Sequence, residues 1–146
     1  MPKIGIIVPT KNRTDFVIRL ISYYDQYADL VSLYIGDSSC VAEHARLKEF
    51  LKKEQLKVTV CLHHDQEANV ARANSVMGDM VEEHFVTICP DDDFLLPTSI
   101  KRCLEFLEHN VSYTSAQGAS VIINTGYSHK QFSHAYLICA THNFEE

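Results

Sequence analysis

The sequence lacks the features that mark membrane, secreted and nucleic-acid-binding proteins. It has no run of about 20 apolar residues, the length that a helix needs to cross a membrane, and it does not begin with the pattern of a signal peptide. Positive charge is scarce, because 13 lysines and arginines stand against 19 aspartates and glutamates, and non-specific nucleic-acid binding needs a basic surface. We therefore expect a cytoplasmic protein with no transmembrane segment and no nucleic-acid partner.

Two kinds of local motif are also missing. The five cysteines contain no CxxC pair, so a structural zinc site is not expected, and we interpret the cysteines as reduced thiols. The P-loop (GxxxxGK(S/T)), dinucleotide-binding (GxGxxG) and hydrolase (GxSxG) signatures do not occur. A phosphate ligand would therefore be held by carboxylates and a metal ion rather than by a glycine-rich backbone.

Apolar runs and helical stripes alternate along most of the chain. Its 146 residues are 46% hydrophobic and 22% charged, which is typical of one globular domain, and we expect residues 1–146 to form it. We predict helices between strands at residues 3–8, 30–35, 57–62, 85–89 and 119–123. Residues 135–140 fit either another strand or an apolar piece of helix. The alternation predicts an α/β fold with a doubly wound, mostly parallel sheet.

Three consecutive carboxylates, Asp91, Asp92 and Asp93, follow the fourth predicted strand. Like charges this close repel one another, so the triplet favours a bound cation or partial protonation. Its hard oxygen atoms suit Mg²⁺, Mn²⁺ or Ca²⁺. The alternative interpretation is a solvated acidic turn that caps the next helix.

Polar clusters follow the other predicted strands too: Pro9–Arg13, Asp37–Ser39 and His63–Asp65. The carboxyl ends of parallel strands meet at one edge of a sheet, where ligands bind, and this favours the metal site over the acidic turn. Cationic groups (Lys11, Arg13 and Arg72) beside carboxylates fit a metal–diphosphate ligand. We interpret His63–Asp65 as loop structure rather than as metal ligands.

Four segments resemble, in the same order, the family 2-type glycosyltransferases, which are nucleotide-diphospho-sugar transferases of the GT-A fold. They are IGIIVPTKNR at 4–13, LYIGDSS at 33–39, ARAN at 71–74 and DDDFLLP at 91–97, the last being similar to the DxD motif of the family and its apolar sequel. The resemblance covers Lys3 to Asn124. It implies a Rossmann-like (GT-A) topology and an N-terminal donor-binding portion, short or truncated at its C-terminus, with residues 125–146 unassigned.

The resemblance also implies an activity: metal-dependent transfer of a sugar from a nucleotide diphosphate, expected to be UDP, to a hydroxyl group of an unknown acceptor. The implied donor-binding residues are Pro9, Thr10, Lys11, Asn12, Arg13, Asp37, Ser38, Arg72, Asp91 and Asp92. The implied ligands of Mn²⁺ or Mg²⁺ are Asp93, Asp91 and Asp92. Asp93 is the expected direct ligand, and Asp92 takes that role if the motif begins at Pro90.

The general base and the completeness of the enzyme stay open. No carboxylate after the triplet is a convincing base, and His129, His134 and His142 are candidates because histidine titrates near neutral pH. One alternative is a nucleotide-sugar-binding module without turnover of its own, acting as a homo-oligomer or with a partner chain. Another is a different nucleotide-handling α/β enzyme such as a nucleotidyltransferase, against which the missing glycine-rich loop argues.

Overall fold

The computed structural model describes residues 2–123 and 135–138, with side chains described for residues 2–119. The strands are β1 (Ile4–Thr10), β2 (Val31–Asp37), β3 (Thr59–His64), β4 (Phe85–Ile88), β5 (Ser120–Ile123) and β6 (Ala135–Ile138). The helices are α1 (Thr14–Asp25), α2 (Val41–Lys53), α3 (Val70–Met80) and α4 (Pro97–His109). Within the described ranges, no helix is long and apolar enough to cross a membrane.

The chain divides into two compact units, residues 1–101 and 102–146. The expectation of a single domain over residues 1–146 stays a prediction. The first unit holds four parallel strands in the order β3-β2-β1-β4, connected through helices. This confirms the predicted α/β fold with a parallel, Rossmann-like sheet.

The core of the first unit lies on the two central strands. Every residue of β2 is buried, as expected for a parallel strand that is covered on both faces. Helix α1 contributes the buried side chains of Val17, Leu20, Ile21 and Tyr24, which recur at helical spacing. Helix α3 packs Met77 against Ile7 and Tyr34. It approaches β2 so closely that a Cβ atom on Gly36 would lie 3.0 Å from the Cβ of Ala73.

Three of the predicted strands end two residues later than their sequence pattern indicated. Strand β1 continues to Thr10 and β3 to His64, because their backbone pairing with β2 continues through Thr10–Asp37 and Asp37–His64. The interpretation of His63 and His64 as loop residues is therefore wrong. Asp65 alone of that cluster follows the strand.

The second unit corrects one expectation about the sheet. Strand β5 does not extend the parallel sheet but pairs antiparallel with β6, from Ser120–Ile138 to Ile123–Ala135. Residues 135–138 are thus a strand, one of the two alternatives for that segment. An apolar alternating pattern indicates a strand but does not specify its partner, which is why the pairing was missed. The candidate bases His129, His134 and His142 lie outside the described residues.

Candidate functional site

The backbone register brings three strand ends together at the carboxyl edge of the sheet. Thr10 at the end of β1 pairs with Asp37 at the end of β2, and Asp37 pairs with His64 at the end of β3. Strand β4 lies on the other side of β1 and leads into the aspartate triplet. The structure thus places the predicted polar clusters side by side, as the parallel-sheet argument required.

Asp91, the first residue of the triplet, is buried and held from two sides. Asp91 is 3% exposed. The hydroxyl of Thr10 donates to Oδ2 at 2.7 Å, and Nη1 of Arg13 lies 3.0 Å from Oδ1. Both oxygens of Asp91 therefore have a partner, and the position of its carboxylate is fixed by β1 and the loop that follows it.

Arg13 also pairs with the second carboxylate of the triplet. Its Nη2 donates to Oδ2 of Asp92 at 2.8 Å. This hydrogen bond holds the pKa of Asp92 below its ordinary value and the pKa of Arg13 above its ordinary value. One guanidinium therefore pairs with two neighbouring carboxylates, which reduces the repulsion between them.

Asp93 differs from the other two aspartates. Its side chain is exposed, and its carboxylate has no hydrogen bond or ion pair with the residues that the structure describes. Its backbone N–H donates to Pro90 at 3.2 Å and closes a turn. The ligand atoms of the three aspartates do not all lie within 4.8 Å of one another, although their hard oxygens are of the kind that Mn²⁺ or Mg²⁺ prefers. The metal role of the triplet stays a prediction.

Helix α1 fixes the segment that follows the triplet. Tyr24 is fully buried, and its hydroxyl accepts from the N–H of Leu95 at 2.9 Å and donates to the carbonyl of Leu95 at 3.1 Å. Burial raises the pKa of Tyr24 far above its ordinary value, so the hydroxyl stays protonated and can serve both bonds. The triplet is thus held on one side by β1 and on the other by α1.

Asn12 ties the two loops of the edge to each other. It adopts the left-handed backbone conformation, with φ of 55°, which asparagine tolerates better than most residues. Its N–H donates to the hydroxyl of Ser39 at 2.7 Å, and its side-chain oxygen accepts from the N–H of Cys40 at 2.8 Å. Of the other predicted residues in these loops, Ser38 is buried and donates its N–H to Thr10, whereas Lys11 is exposed.

Asp37 is buried and connected to two histidines. It is 2% exposed, and its Oδ1 accepts from the N–H of Ser39 at 2.8 Å. Its Oδ2 lies 2.8 Å from Nδ1 of His44 on α2. The ring of His44 stacks on that of His64, with centroids 3.8 Å apart and planes within 10°, and Nε2 of His64 lies 2.9 Å from the carbonyl oxygen of Ser39.

His44 was not predicted from the sequence. It lies in the first turn of α2, seven residues after Asp37, and a single histidine in an amphipathic helix is usually an ordinary surface residue. The sequence does contain one usable signal: His44 lies one turn into the helix that follows the strand-end carboxylate Asp37. Helix geometry then lets its side chain reach back to the strand.

Arg72 lies beside a shallow depression between β2, β3 and α3. The depression is lined by Asp37, Ser38, His63, Asp65 and Arg72, among others. The side chain of Arg72 is 66% exposed, and its Nη2 lies 3.1 Å from Asp65. Helix α3 begins with Asn69, whose side-chain oxygen accepts from the N–H of Arg72 at 2.9 Å. The structure thus keeps Arg72 at the edge but pairs it with Asp65, not with the triplet.

Together, the parallel sheet and the helices that connect its strands define a Rossmann-like α/β protein. No family profile matches the chain, and no curated protein matches it. Among solved structures, it is similar to the mannosyltransferase PcManGT from Pyrobaculum calidifontis in complex with GDP-Man and Mn²⁺. That likeness has a TM-score of 0.58 and 16% identity, over 73% of this chain and 32% of that one.

TarS from S. aureus is similar as well. The likeness to TarS has a TM-score of 0.55 at 18% identity, over 88% of this chain and 23% of TarS. The likeness to the fragment TarS 1–349 has a TM-score of 0.54 at 18% identity and covers 38% of that chain. These likenesses confirm the GT-A-like fold that the sequence motifs predicted, and at such identities they show the fold alone. The chain spans between 23% and 38% of the length of these structures.

Proposed function

We propose that the chain binds a nucleoside diphosphate sugar together with Mn²⁺ or Mg²⁺, as the donor-binding part of a glycosyltransferase. The observation that carries the proposal is the carboxylate of Asp91, which accepts a hydrogen bond from Thr10 and forms an ion pair with Arg13, beside the buried Asp37 at the carboxyl edge of the sheet. Ligands of parallel α/β sheets bind at this edge. The likeness to PcManGT, which was solved with GDP-Man and Mn²⁺, supports the same function.

In this proposal each group has a separate task. Asp93 binds the ion, with Asp92 as the alternative direct ligand and Asp91 as a fixed negative charge behind them. A bound Mn²⁺ or Mg²⁺ neutralises the charge that develops on the departing diphosphate. The guanidinium of Arg13 donates to phosphate oxygens, for which its planar fork is well suited.

Asp37 recognises the nucleoside in the proposed complex, which we expect to be uridine. Its carboxylate already accepts from Ser39 and His44, but a carboxylate offers about four acceptor positions. It can therefore accept a further bond from a base N–H or a ribose hydroxyl. Its burial makes such a bond stronger than one in open water.

In the proposed reaction, a hydroxyl oxygen of the acceptor attacks the anomeric carbon of the donor. The bond from that carbon to the diphosphate breaks, its electron pair leaves with the nucleoside diphosphate, and the hydroxyl proton passes to a base. We assign no base among the described residues. Because the chain spans at most 38% of the compared structures, the second candidate function is donor binding without turnover by this chain alone.

Calorimetric titration with UDP and GDP, with and without Mn²⁺, tests the proposal. We expect Mn²⁺ to strengthen UDP binding and Asp93→Asn to weaken the Mn²⁺-dependent binding by about 10-fold or more. Asp79→Asn is the matched control, because Asp79 is exposed on α3 and has no part in the proposed site. Absence of binding of both nucleotides, or wild-type affinity in both Asp92→Asn and Asp93→Asn, rejects the proposal. Sugar transfer by the isolated chain rejects the second candidate.

A further inference from the structure

A second cluster of ligating side chains lies at the same edge of the sheet, centred on Asp37. Asp37, His44 and His64 each offer one ligand atom, and these atoms lie within 4.8 Å of one another. The cluster contains none of the three aspartates of the triplet. We propose that these three residues bind a borderline divalent cation, above all Zn²⁺, at a site separate from the triplet.

The donor set selects the kind of ion. Two imidazoles and one carboxylate suit Zn²⁺ and its neighbours Co²⁺, Ni²⁺ and Cu²⁺, whereas Mg²⁺ and Ca²⁺ prefer oxygen donors alone. Three protein ligands leave the fourth tetrahedral position of Zn²⁺ open to water or to another ligand. The side chain of Asp37 is 1% exposed and that of His44 is 18% exposed, so the ion enters from the side of His44.

Hydrogen bonds with Ser39 already orient Asp37 and His64, two of the three proposed ligands. The N–H of Ser39 donates to Oδ1 of Asp37 at 2.8 Å and leaves Oδ2 directed at His44, and such outer contacts fix the direction of metal ligands. The carboxylate of Asp37 and the carbonyl of Ser39 can only accept. His44 therefore donates through Nδ1, and His64 donates through Nε2.

Binding requires a small rearrangement of the histidine rings. The rings are parallel within 10°, and the in-plane lone pairs of parallel rings do not converge on one point. One ring therefore rotates about its Cβ–Cγ bond, and bonds to the metal replace the hydrogen bond between His44 and Asp37. Because histidine binds a metal through an unprotonated nitrogen, Zn²⁺ affinity falls as the solution becomes acidic.

The site shares Asp37 with the nucleoside, and this part of the inference rests on the proposed function. An ion bound to Asp37 offsets the negative charge of that carboxylate and so weakens its hydrogen bond to a base N–H or a ribose hydroxyl. Zn²⁺ is therefore a competitor of nucleotide binding, whereas Mn²⁺ or Mg²⁺ at the triplet supports it. The two kinds of ion act in opposite directions at sites on one sheet edge.

Metal binding is measured first without nucleotide, on the full chain with its cysteines reduced. Zn²⁺ is titrated by calorimetry and Co²⁺ by visible absorption at neutral pH. We expect His44→Gln and His64→Gln each to lose about 10-fold or more in affinity. His63→Gln and Cys40→Ser are the matched controls, because both residues are next to the cluster in sequence but outside it, and both variants should keep the wild-type affinity.

Unchanged Zn²⁺ affinity in His44→Gln and His64→Gln, or an equal loss in His63→Gln, overturns the site. Thermal unfolding without metal shows whether each variant is folded. If a variant is not folded, the Co²⁺ spectrum of the wild type is the test instead, because intense four-coordinate bands support the site and a weak octahedral spectrum overturns it.

The competition is measured next. Zn²⁺ should weaken UDP binding in the wild type but not in His44→Gln, and an unchanged UDP affinity overturns the competition. Complete absence of UDP and GDP binding rejects the proposed function and leaves the Zn²⁺ result standing.

Discussion

Replacing Thr10 by valine tests the hydrogen bond that connects β1 to the aspartate triplet. Valine has nearly the shape of threonine but lacks the hydroxyl that donates to Asp91 at 2.7 Å. Thr10 and Asp91 are 7% and 3% exposed, so water does not readily replace the lost donor. A hydrogen bond to a charged group contributes about 1.5–3 kcal/mol, and we expect the free energy of unfolding to fall by that amount.

Urea unfolding at neutral pH measures this loss. With a slope of about 2 kcal/mol per molar urea for a small domain, the midpoint should fall by about 0.8–1.5 M. Ser22→Ala is the control, since it removes an exposed hydroxyl that donates to Ile18 at 2.8 Å, and we expect a change within about 0.5 kcal/mol. If Thr10→Val and Ser22→Ala have equal midpoints, the reasoning about Asp91 is refuted.

Three further predictions concern stability and reactivity. Hydrogen bonds from the backbone N–H of Val58 and, second, of Lys57 lower the pKa of Asp25. The resulting stabilisation is present above the unfolded-state pKa, near 4, and is lost as the pH falls through the lower folded-state pKa. The urea unfolding midpoint of Asp25→Asn should therefore approach that of the wild type in acid. Gly36→Ala should cost about 1–3 kcal/mol in thermal or urea unfolding, because its Cβ would lie 3.0 Å from a side-chain carbon of α3. Burial raises the pKa of Cys89 to about 11, so a thiol-specific disulfide reagent should modify it only after unfolding.

Each of these predictions has a control or a contradicting outcome within the same chain. A stability difference between wild type and Asp25→Asn that is constant down to strong acid would contradict the first. Gly78→Ala, with nothing within 4 Å of its new Cβ, should stabilise α3 by about 0.5–1 kcal/mol, and a Gly36→Ala variant as stable as wild type would contradict the close packing on β2. Exposed Cys40 should react in the folded protein, and modification of Cys89 at the same rate would contradict the third.

The parallel sheet and the polar clusters at its carboxyl edge could be predicted because both follow from local sequence. The nearly continuous apolar run of β1 indicated a strand covered on both faces, and Ile6, Ile7 and Val8 are in fact buried. Once the strands are parallel, their carboxyl ends must meet at one edge. The contact between Thr10 and Asp91, 81 residues apart, is a consequence of that rule and not of any motif around either residue.

Other features depend on contacts that no local pattern encodes. The antiparallel pairing of β5 with β6 cannot be predicted from either strand alone, because it depends on which strand edge is available. The contact of His44 with Asp37 depends on how α2 sits above the end of β2. The pairing of Arg72 with Asp65 is similar, since the sequence showed a cation near the edge but not which carboxylate it would meet. Side-chain partners across elements are therefore what the sequence did not reveal.

The position of Arg13 links the charge of the edge to its proposed function. Two neighbouring carboxylates, those of Asp91 and Asp92, share this one guanidinium, and the side chain of Arg13 is 40% exposed, so it can move without disturbing the core. A divalent ion at the triplet would satisfy the same carboxylates and release the guanidinium from part of that task. The released donors would then be directed at the diphosphate, whose negative charge arrives with the ion. In the proposed complex Arg13 therefore exchanges carboxylate partners for phosphate partners, and the net charge of the edge changes little, because the charge of the ion offsets that of the diphosphate.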